Sequence, residues 1–545
     1  MTTKPNSPSH TRFFAGSAVS SLEFGTSLDT FGTTEEGYNA TVIIGRKVDL
    51  ETTLGDDNTN KDDDFLASTL KLHVPSKMKK VMMDSLEGKK GGSSSTYVTT
   101  TSSGEDDDND DNDIHKLSMC ALPTKIHRNN HPMAVHTLTA MVNAQVPKKG
   151  NTRLIVIMPQ DKTSEMAPIA SAIAKAFPAF TKKTSKTPPK QPRNVQVVFV
   201  EASSSTTILD DSQALLASQA VAEGVMLAGR LVDTHPEELT TDQFAQECQL
   251  VVDAFPDQVT MTQIVGEDLR QQGYGGLYGV GKAATCPPRL VILEYNGDPQ
   301  GQDAESTALV GKGIVYDTGG LSIKPKTGMC GMKSDMGGAA GLLGGFYAAV
   351  KCQTPRNIKL VLCLAENAIG PTAFRNDDIL EMYSGKTVEV NNCDAEGRLV
   401  LGDGVAHVTQ HFPNVNFIVD MATLTGAQLV ATGKKHAGIL CNTLAAETQA
   451  FEAGMYSGDL CFPLLYAPEI LMDEFKSPVA DMKNSVKDRG NAQTSCAGHF
   501  IEAHLAEDYE GAWVHVDMAG PAVKDQRGTG YGVGLVMALV KAPGF

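Results

Sequence analysis

The chain has 545 residues, of which 41% are hydrophobic and 20% are charged, so it can bury the cores of several ordinary globular domains. Its formal net charge of -17 argues against binding to nucleic acid, which normally requires a basic surface. No run of about 18 apolar residues occurs, so the sequence predicts no transmembrane helix and no membrane partner. The ten cysteines include no C-x-x-C pair and are typical of scattered reduced thiols in an intracellular protein.

The amino-terminal part of the chain contains long polar segments. The composition of its first 22 residues loosely fits an organelle transit peptide, but the single Arg there favours an unstructured terminus and a cytoplasmic protein. Two further segments, at about 51–64 and 87–114, combine acidic runs with Gly, Ser and Thr. Because their acidic runs hold too few apolar residues to pack, we expect both segments to be disordered surface insertions.

Between these polar segments, apolar runs alternate with helical patterns. Strands are predicted at 40–44, 154–158 and 195–200, and helices at 133–146 and 167–176. Alternating strands and helices indicate an α/β layer with a mostly parallel sheet.

A long helical pattern at 212–232 precedes a region that is richer in Gly and apolar residues. We therefore predict a small α/β domain over 1–210, a linking helix over 211–232 and a larger domain over 233–545.

The larger domain repeats the alternation of strands and helices. Buried strands are predicted at 307–316, 357–365 and 415–419, with helices at 337–351 and 399–411. Polar side chains follow the ends of these strands, and the carboxyl ends of parallel strands are where α/β sheets carry their sites.

Two glycine-rich segments after predicted strands combine carboxylates with cationic side chains. The first covers 311–335 and begins G-K-G-I-V-Y-D-T-G-G, and the second covers 391–399 and reads N-N-C-D-A-E-G-R-L. Asp394 and Glu396 are two residues apart, so an extended segment would point both to the same side. Four carboxylates brought together would repel one another unless cations neutralise them, and two divalent ions supply that neutralisation. The alternative is a pair of separate surface loops with acidic caps.

Both segments resemble the signatures of the leucyl aminopeptidase family, the dinuclear metallo-exopeptidases. The second resembles the pattern N-T-D-A-E-G-R-L, with Cys393 in place of Thr. The first resembles V-G-K-G-[IV]-T-F-D-S-G-G-[IL]-S-I-K, with Val315, Tyr316 and Thr318 at the variant positions. These variants are similar to the longer, aminopeptidase-like branch of the family. The similarity extends from about residue 217 to the carboxyl terminus, and two motifs at the expected spacing make it highly specific.

The resemblance implies a site for two divalent metal ions in each subunit. Asp317 and Glu396 would bridge both ions, Lys312 and Asp335 would complete one site, and Asp394 would complete the other. A lysine can ligate a metal only when its amine is deprotonated. The ions would be zinc or manganese, and oxygen-rich ligation also accepts magnesium or cobalt.

The resemblance also implies roles beside the metals. Lys324 would polarise the substrate carbonyl and stabilise the oxyanion, and Arg398 would hold a bicarbonate ion that relays the proton. An apolar pocket with Met suits Leu-like or Met-like side chains. The residues matching that pocket are Met332, Asn392, Ala395, Thr423 and Leu424.

The sequence therefore predicts a metal-dependent aminopeptidase that removes N-terminal residues from short peptides by two-metal hydrolysis. The expected fold is a two-domain α/β chain, with a small N-terminal domain and a catalytic domain built on a central mixed sheet. The resemblance further implies a homohexamer. Two alternatives stay open: a catalytically silent scaffold or binding homologue, and a dipeptidase specialised for cysteinylglycine-type substrates.

Overall fold

The computed structural model describes residues 20–28, 37–55, 65–72, 74–86, 92–100, 114–183, 193–203, 207–298 and 306–545. The chain divides into two compact units, the first Gly16–Ala222 with Gly544–Phe545 and the second Glu223–Pro543. The division falls within the helix Ser212–Asp233, in the segment expected to link two domains. The domain limits at 210 and 233 stay predictions. The first 19 residues, which carry most of the transit-like composition, lie outside the described residues.

The first unit is built on a mixed sheet. Its described strands are β1 (Ser20–Phe24), β2 (Ala40–Arg46), β3 (Ser93–Thr100), β4 (Ile114–Leu122), β5 (Gly150–Met158), β6 (Arg193–Glu201) and β7 (Thr207–Ile208). They lie in the order β1-β6-β5-β2-β4-β3, with β7 paired to β6. Strands β1, β6, β5, β2 and β4 are parallel, whereas β3 and β7 pair antiparallel to their respective neighbours.

Helices cover this sheet, and an apolar core lies between the layers. The described helices are α1 (Lys47–Leu54), α2 (Phe65–Ser68), α3 (Ser76–Ser85), α4 (Val135–Gln145), α5 (Met166–Ala174) and α6 (Ser212–Asp233), which crosses into the second unit. The core includes Ile43, Phe65, Met119, Ile155 and Val198, all at most 2% exposed.

The expectation of disordered insertions is wrong for part of each segment. Residues 51–54 close helix α1, with Leu54 buried. Residues 93–100 form strand β3, which pairs with β4 from Ser93 opposite Ala121 to Thr100 opposite Ile114. An edge strand is held by backbone hydrogen bonds and needs an apolar contact on one face only, here Tyr97 against the core. Residues 56–64, 87–91 and 101–113 lie outside the described residues.

The second unit contains a larger mixed sheet. Its described strands are β8 (Val259–Val265), β9 (Arg289–Asn296), β10 (Ser306–Asp317), β11 (Asn357–Asn367), β14 (Val415–Ala422), β15 (Ala437–Cys441), β16 (Cys461–Pro463) and β18 (Ala512–Asp517). The order is β16-β15-β18-β14-β10-β11-β9-β8. Strands β11, β10, β14 and β18 are parallel and form the centre, so their carboxyl ends meet at one edge.

Smaller sheets and helices complete the second unit. A separate sheet contains β12 (Ile379–Glu381), β13 (Thr387–Glu389) and β17 (Met482–Lys483), and a hairpin contains β19 (Val523–Lys524) and β20 (Arg527–Gly528). The helices are α7 (Thr241–Ala254), α8 (Glu267–Gln271), α9 (Gly275–Gly281), α10 (Lys326–Met329), α11 (Gly337–Lys351), α12 (Gly397–His411), α13 (Gly426–Ala431), α14 (Leu444–Ser457), α15 (Pro468–Leu471), α16 (Gln493–Glu502) and α17 (Val533–Leu539).

The central strands and helix α11 are buried nearly throughout. Every residue of β10 except Tyr316 is buried, as expected of a strand covered on both faces. Helix α11 has the sequence GGAAGLLGGFYAAVK, and a Cβ added at its Gly338 would lie 2.0 Å from the carbonyl oxygen of Met421. The small side chains of α11 therefore allow its backbone to lie directly against β14.

Helix α6 is the one helix among the described residues that is long and apolar enough to cross a membrane. Of its most apolar window, 78% is buried inside the protein. The helix is therefore apolar because it packs in the core of the protein. All ten cysteines are free thiols.

Candidate active site

The predicted metal-ligating residues come together at the carboxyl edge of the central sheet. Lys312 lies within β10, opposite Cys363 of β11, and Asp317 ends the same strand. Between Ile314 and Asp317, β10 contains one residue more than β11 does between the paired Ala365 and Asn367. Such an irregularity changes the direction in which the following side chain points.

Two lysines bind the converging carboxylates in separate ion pairs. Lys312 Nζ lies 2.7 Å from Asp335 Oδ1 and 3.0 Å from Glu396 Oε1. Lys324 Nζ lies 2.7 Å from Asp317 Oδ2 and 2.5 Å from Asp394 Oδ1. One carboxylate oxygen each of Asp317, Asp394 and Glu396 lies within 4.8 Å of the other two. The structure thus brings together all five predicted ligands and Lys324.

Burial is the largest influence on the pKa values of the shifted carboxyl groups in this cluster. Burial raises the pKa of Asp335 and of Glu396, and the neighbouring carboxylates raise both further, whereas Lys312 lowers both. Burial also raises the pKa of Asp394, despite its ion pair. Burial alone would lower the pKa of Lys312, but Asp335, Glu396 and Asp317 outweigh it and raise that pKa. The site therefore contains more carboxylate groups than lysine side chains, and further cations bound there would stabilise the ionised carboxylates.

Two carboxylate oxygens of the cluster take part in none of the four ion pairs above, and both are buried without a hydrogen-bond partner in the described structure. They are Asp335 Oδ2 and Glu396 Oε2. Buried polar atoms are normally paired, and an unpaired carboxylate oxygen is expensive. Carboxylate oxygens are ligands that divalent cations bind readily, so this cluster fits a metal site chemically.

A glycine-rich turn after β10 places Lys324 over Asp317. Gly319 and Gly320 have φ angles of 84° and 57°, in the left-handed region that favours glycine. The N–H of Gly319 donates to Asp317 Oδ1 at 2.8 Å, and the N–H of Lys324 donates to the carbonyl of Thr318 at 3.0 Å. The turn folds back on itself and returns Lys324 to the end of the strand.

Asp394 and Glu396 meet through a turn and not through an extended segment. The N–H of Ala395 donates to the carbonyl of Asn392 at 3.1 Å, and the N–H of Asp394 donates to Asn392 Oδ1 at 3.0 Å. Helix α12 starts directly after this turn. Its first residue, Gly397, leaves room for Lys312, because an added Cβ would lie 2.4 Å from Lys312 Cε.

Asn367 at the end of β11 was not predicted as a site residue. Its Nδ2 donates to Asp317 Oδ1 at 2.9 Å and to the carbonyl of Cys393 at 3.1 Å, so it joins the two motifs. Its position at the carboxyl end of a central strand was the available signal.

Arg398 lies in the first turn of α12 and is 4% exposed. Its Nε and Nη1 atoms are buried and have no hydrogen-bond partner among the described residues. Burial lowers its pKa to about 10, so the guanidinium remains charged at neutral pH. Two free donors on a buried cation form a site for an anion.

The predicted pocket residues lie on three segments around the cluster. Met332 and Leu424 are half-buried, and Thr423 donates its hydroxyl to Asp335 Oδ1 at 3.0 Å. Asn392 and Ala395 lie in the turn before α12, where the Asn392 side chain already accepts the Asp394 N–H.

Cys393, the departure from the family pattern, is fully buried. Its Sγ lies 3.4 Å from both the Phe374 carbonyl oxygen and Asn376 Oδ1, and its single S–H can donate to either. Burial raises the pKa of this thiol, which disfavours the reactive thiolate.

Known proteins similar to this chain share both units. The catalytic-domain model of the cytosol aminopeptidase family matches residues 226–537, and the model of the M17 aminopeptidase N-terminal domain 2 matches residues 42–186. A mouse (Mus musculus) protein named probable aminopeptidase NPEPL1 is 47% identical over 422 residues, covering 77% of this chain and 79% of its own. Leucine aminopeptidase 1 of Caenorhabditis elegans is 42% identical over 371 residues, covering 68% and 72%.

Solved structures agree with these matches. The leucyl aminopeptidase of Leishmania major in complex with actinonin has a TM-score of 0.83 and 34% identity, covering 97% of this chain and 95% of its own. The Trypanosoma brucei leucyl aminopeptidase in complex with bestatin has a TM-score of 0.81 and 35% identity, covering 97% and 96%. The predicted two-domain α/β fold is thereby confirmed. The chain belongs to the cytosol aminopeptidase family and is a metal-dependent aminopeptidase.

Proposed function

We propose that the buried carboxylate cluster carries the aminopeptidase activity with two divalent metal ions. The observation that supports this most directly is the pair of buried, unpartnered oxygens of Asp335 and Glu396. They lie beside Asp317 and Asp394, which share the single cation Lys324. Lys312, Asp317, Asp335, Asp394 and Glu396 would hold the ions. Bound there, zinc, manganese, magnesium or cobalt would supply a water nucleophile at neutral pH and an electrophile for the peptide carbonyl.

The two lysines would then have different tasks. Lys312 is enclosed by Asp335, Glu396 and the carbonyl of Thr423 at 3.1 Å, so it stays in place and must lose its proton to become a ligand. Lys324 is more accessible, with its side chain 15% exposed. We propose that its protonated Nζ donates a hydrogen bond to the oxyanion that forms on the substrate carbonyl.

Arg398 would hold the anion that moves the proton. We propose bicarbonate, because the planar guanidinium offers parallel donors to two oxygens of a carboxylate-like ion. The guanidinium itself stays charged throughout, so it orients the relay and does not accept the proton.

The substrates we propose are short peptides with a free N-terminus and a Leu-like or Met-like first residue. The half-buried side chains of Met332 and Leu424 support an apolar pocket beside the cluster, and the inhibited relatives are leucyl aminopeptidases. We also propose a homohexamer, as the family resemblance implies. A cytoplasmic location is proposed from the family's name and from the ten free thiols, which suit a reducing compartment.

The test is release of leucine from an N-terminal leucyl peptide by the purified chain, with manganese or zinc and with a chelator. We expect metal-dependent release from the free-amine peptide and none from its N-acetylated form. Asp394→Ala should abolish release while the protein stays folded, because Asp394 would act through the metal. Full activity of that variant would contradict the proposed ligand set, and no cleavage of any unblocked peptide by metal-loaded wild type would favour a silent scaffold.

A further inference from the structure

Asn484 is fully buried beside residues 391–396, which we call the metal loop. Its Oδ1 accepts the backbone N–H of Asn391 at 2.9 Å and that of Asn392 at 3.3 Å. Its Nδ2 donates to the carbonyl of Asn392 at 2.7 Å and to that of Ala395 at 3.2 Å. A side-chain amide has two N–H donors and two acceptor lone pairs, so the backbone of this one loop uses the whole amide.

The metal loop needs an external partner because it has little structure of its own. In the described structure its internal backbone bonding is the turn from Ala395 to Asn392 at 3.1 Å. Its two acids, Asp394 and Glu396, lie close to Asp317, and these carboxylates repel one another. Without further contacts the loop would relax to separate them. A neutral amide opposes that relaxation without adding charge.

The small three-stranded sheet delivers Asn484 to this position. Strand β17 pairs parallel to β13, with Glu389 opposite Lys483, and the N–H of Asn484 extends the pairing to the Glu389 carbonyl at 3.1 Å. The loop follows β13 just as Asn484 follows β17. Asn391 returns the contact, since its Nδ2 donates to the Ser485 carbonyl at 3.1 Å and its Oδ1 accepts the Ser485 N–H at 2.9 Å.

From these contacts we infer that Asn484 is a positioning residue that sets the affinity of the site for divalent metal. It holds the carbonyls on both sides of Asp394, and so fixes the direction of that carboxylate and of Glu396. The inference rests on the proposed function, because it assigns Asn484 to a metal site. Partners of ligands typically change metal affinity by about ten- to hundredfold when they are lost.

The test compares manganese binding by metal-free wild type and Asn484→Ala, measured by equilibrium dialysis with metal analysis. We expect the dissociation constant to rise about ten- to hundredfold in the variant, and excess manganese to restore its kcat. Asn442→Ala is the matched control. Its amide also joins backbone groups, accepting the Trp513 N–H at 2.8 Å and donating to the Gly511 carbonyl at 3.0 Å, but near the start of β18, away from its carboxyl end. We expect that variant to lose thermal stability and keep its manganese affinity.

Asn391→Ala removes the reciprocal contact to Ser485, which helps to seat Asn484 against the loop, and it does so at an exposed residue. It should weaken manganese binding in the same direction by a smaller factor. Wild-type affinity in a folded Asn484→Ala protein, or in Asn391→Ala if the former does not fold, would overturn the inference while wild type still binds metal and releases leucine. Failure of wild type itself to bind manganese would overturn the proposed metal site, and this inference with it.

Discussion

Arg398 is a charged side chain in the interior whose charge is not matched by a hydrogen-bonded carboxylate. Its Nε and Nη1 have no partner in the described structure, and the contact at its face is the Phe475 ring, 6.0 Å from the guanidinium carbon. A buried charge without a partner is costly, so folds retain one where a ligand completes it. At the scale of single residues, the anion site at Arg398 is the feature that distinguishes a catalytic site from a site that only binds metal.

Replacing Arg398 by Ala should therefore slow the reaction more than it weakens substrate binding. We expect kcat to fall about 10²- to 10⁴-fold, the usual contribution of a proton relay, with a much smaller change in KM. Steady-state kinetics on a leucyl peptide measure both constants. Arg398→Lys should recover part of kcat, because it restores a charge but not the planar donor pair. An unchanged kcat in the Ala variant would remove Arg398 from the mechanism.

The sequence predicted the site residues by type but missed the residues that hold them. The five proposed metal ligands could be identified from the sequence because all of them lie in the two segments 311–335 and 391–399. Asn484 lies 92 positions along the chain from Asn392, whose carbonyl it binds, and no local pattern marks it. The pairing of β17 with β13 brings the two segments together. That pairing is tertiary information that residue spacing does not contain.

At the scale of elements, the close approach of helix α11 to the sheet depends on the absence of side chains. Gly338 lies against the backbone of β14, and Gly344 lies against that of α6, where an added Cβ would be 2.5 Å from the Gly224 carbonyl oxygen. Each contact places backbone against backbone, and neither backbone can move aside as a flexible side chain would. Helix α11 follows directly after the turn that carries Asp335. The packing of α11 against β14 and α6 therefore also fixes the position of that turn.

Gly338→Ala should consequently destabilise the second unit. The added methyl would meet the Met421 carbonyl oxygen, and overpacking of this kind typically costs about 1–3 kcal/mol in the free energy of unfolding. Thermal unfolding should show a lower Tm. Gly426→Ala is the control, because Gly426 starts helix α13 and its added Cβ meets nothing within 4 Å. Equal Tm values for the two variants would contradict the proposed close packing.

Elements were predictable where apolar periodicity is strong and less so where pairing alone makes the strand. The predicted strand at 307–316 is β10 and the predicted helix at 337–351 is α11, with bounds that differ by one residue or none. Strand β3 was missed because its Ser-rich and Thr-rich sequence has little apolar surface and is held by β4. The strand of residues 415–419 continues to Ala422, since its exit is set by pairing with β18.

At the scale of the whole molecule, buried titratable groups with opposing effects shape the dependence of stability on pH. His504 is fully buried, its Nδ1 lies 2.7 Å from Ser384 Oγ, and burial lowers its pKa to about 3. Asp403 is also fully buried, and burial raises its pKa to about 7. The backbone N–H groups of Tyr383 and Leu277, which donate to its carboxylate, lower that pKa but do not cancel the effect of burial. Acidification therefore removes stability through His504 and restores it through Asp403.

The contribution of His504 can be isolated by difference. Because its pKa is lower in the folded than in the unfolded chain, its contribution is present above about pH 6.5 and is lost as the pH falls towards 3. Between pH 7.5 and pH 5, His504→Gln should gain about 2 kcal/mol relative to wild type in the free energy of unfolding. Denaturant unfolding at both pH values measures this, and a difference independent of pH would show that His504 is not held neutral.

All seven side chains to which we assign metal or catalytic roles belong to the unit Glu223–Pro543. The acidic runs at 56–64 and 105–113 belong to the sequence range of the other unit. The chain therefore keeps its proposed reacting groups and its two acidic runs in separate units. A change in the length or charge of residues 56–64 or 105–113 would remove none of these seven side chains, whereas an insertion within 311–335 or 391–399 would alter the spacing of the proposed metal ligands.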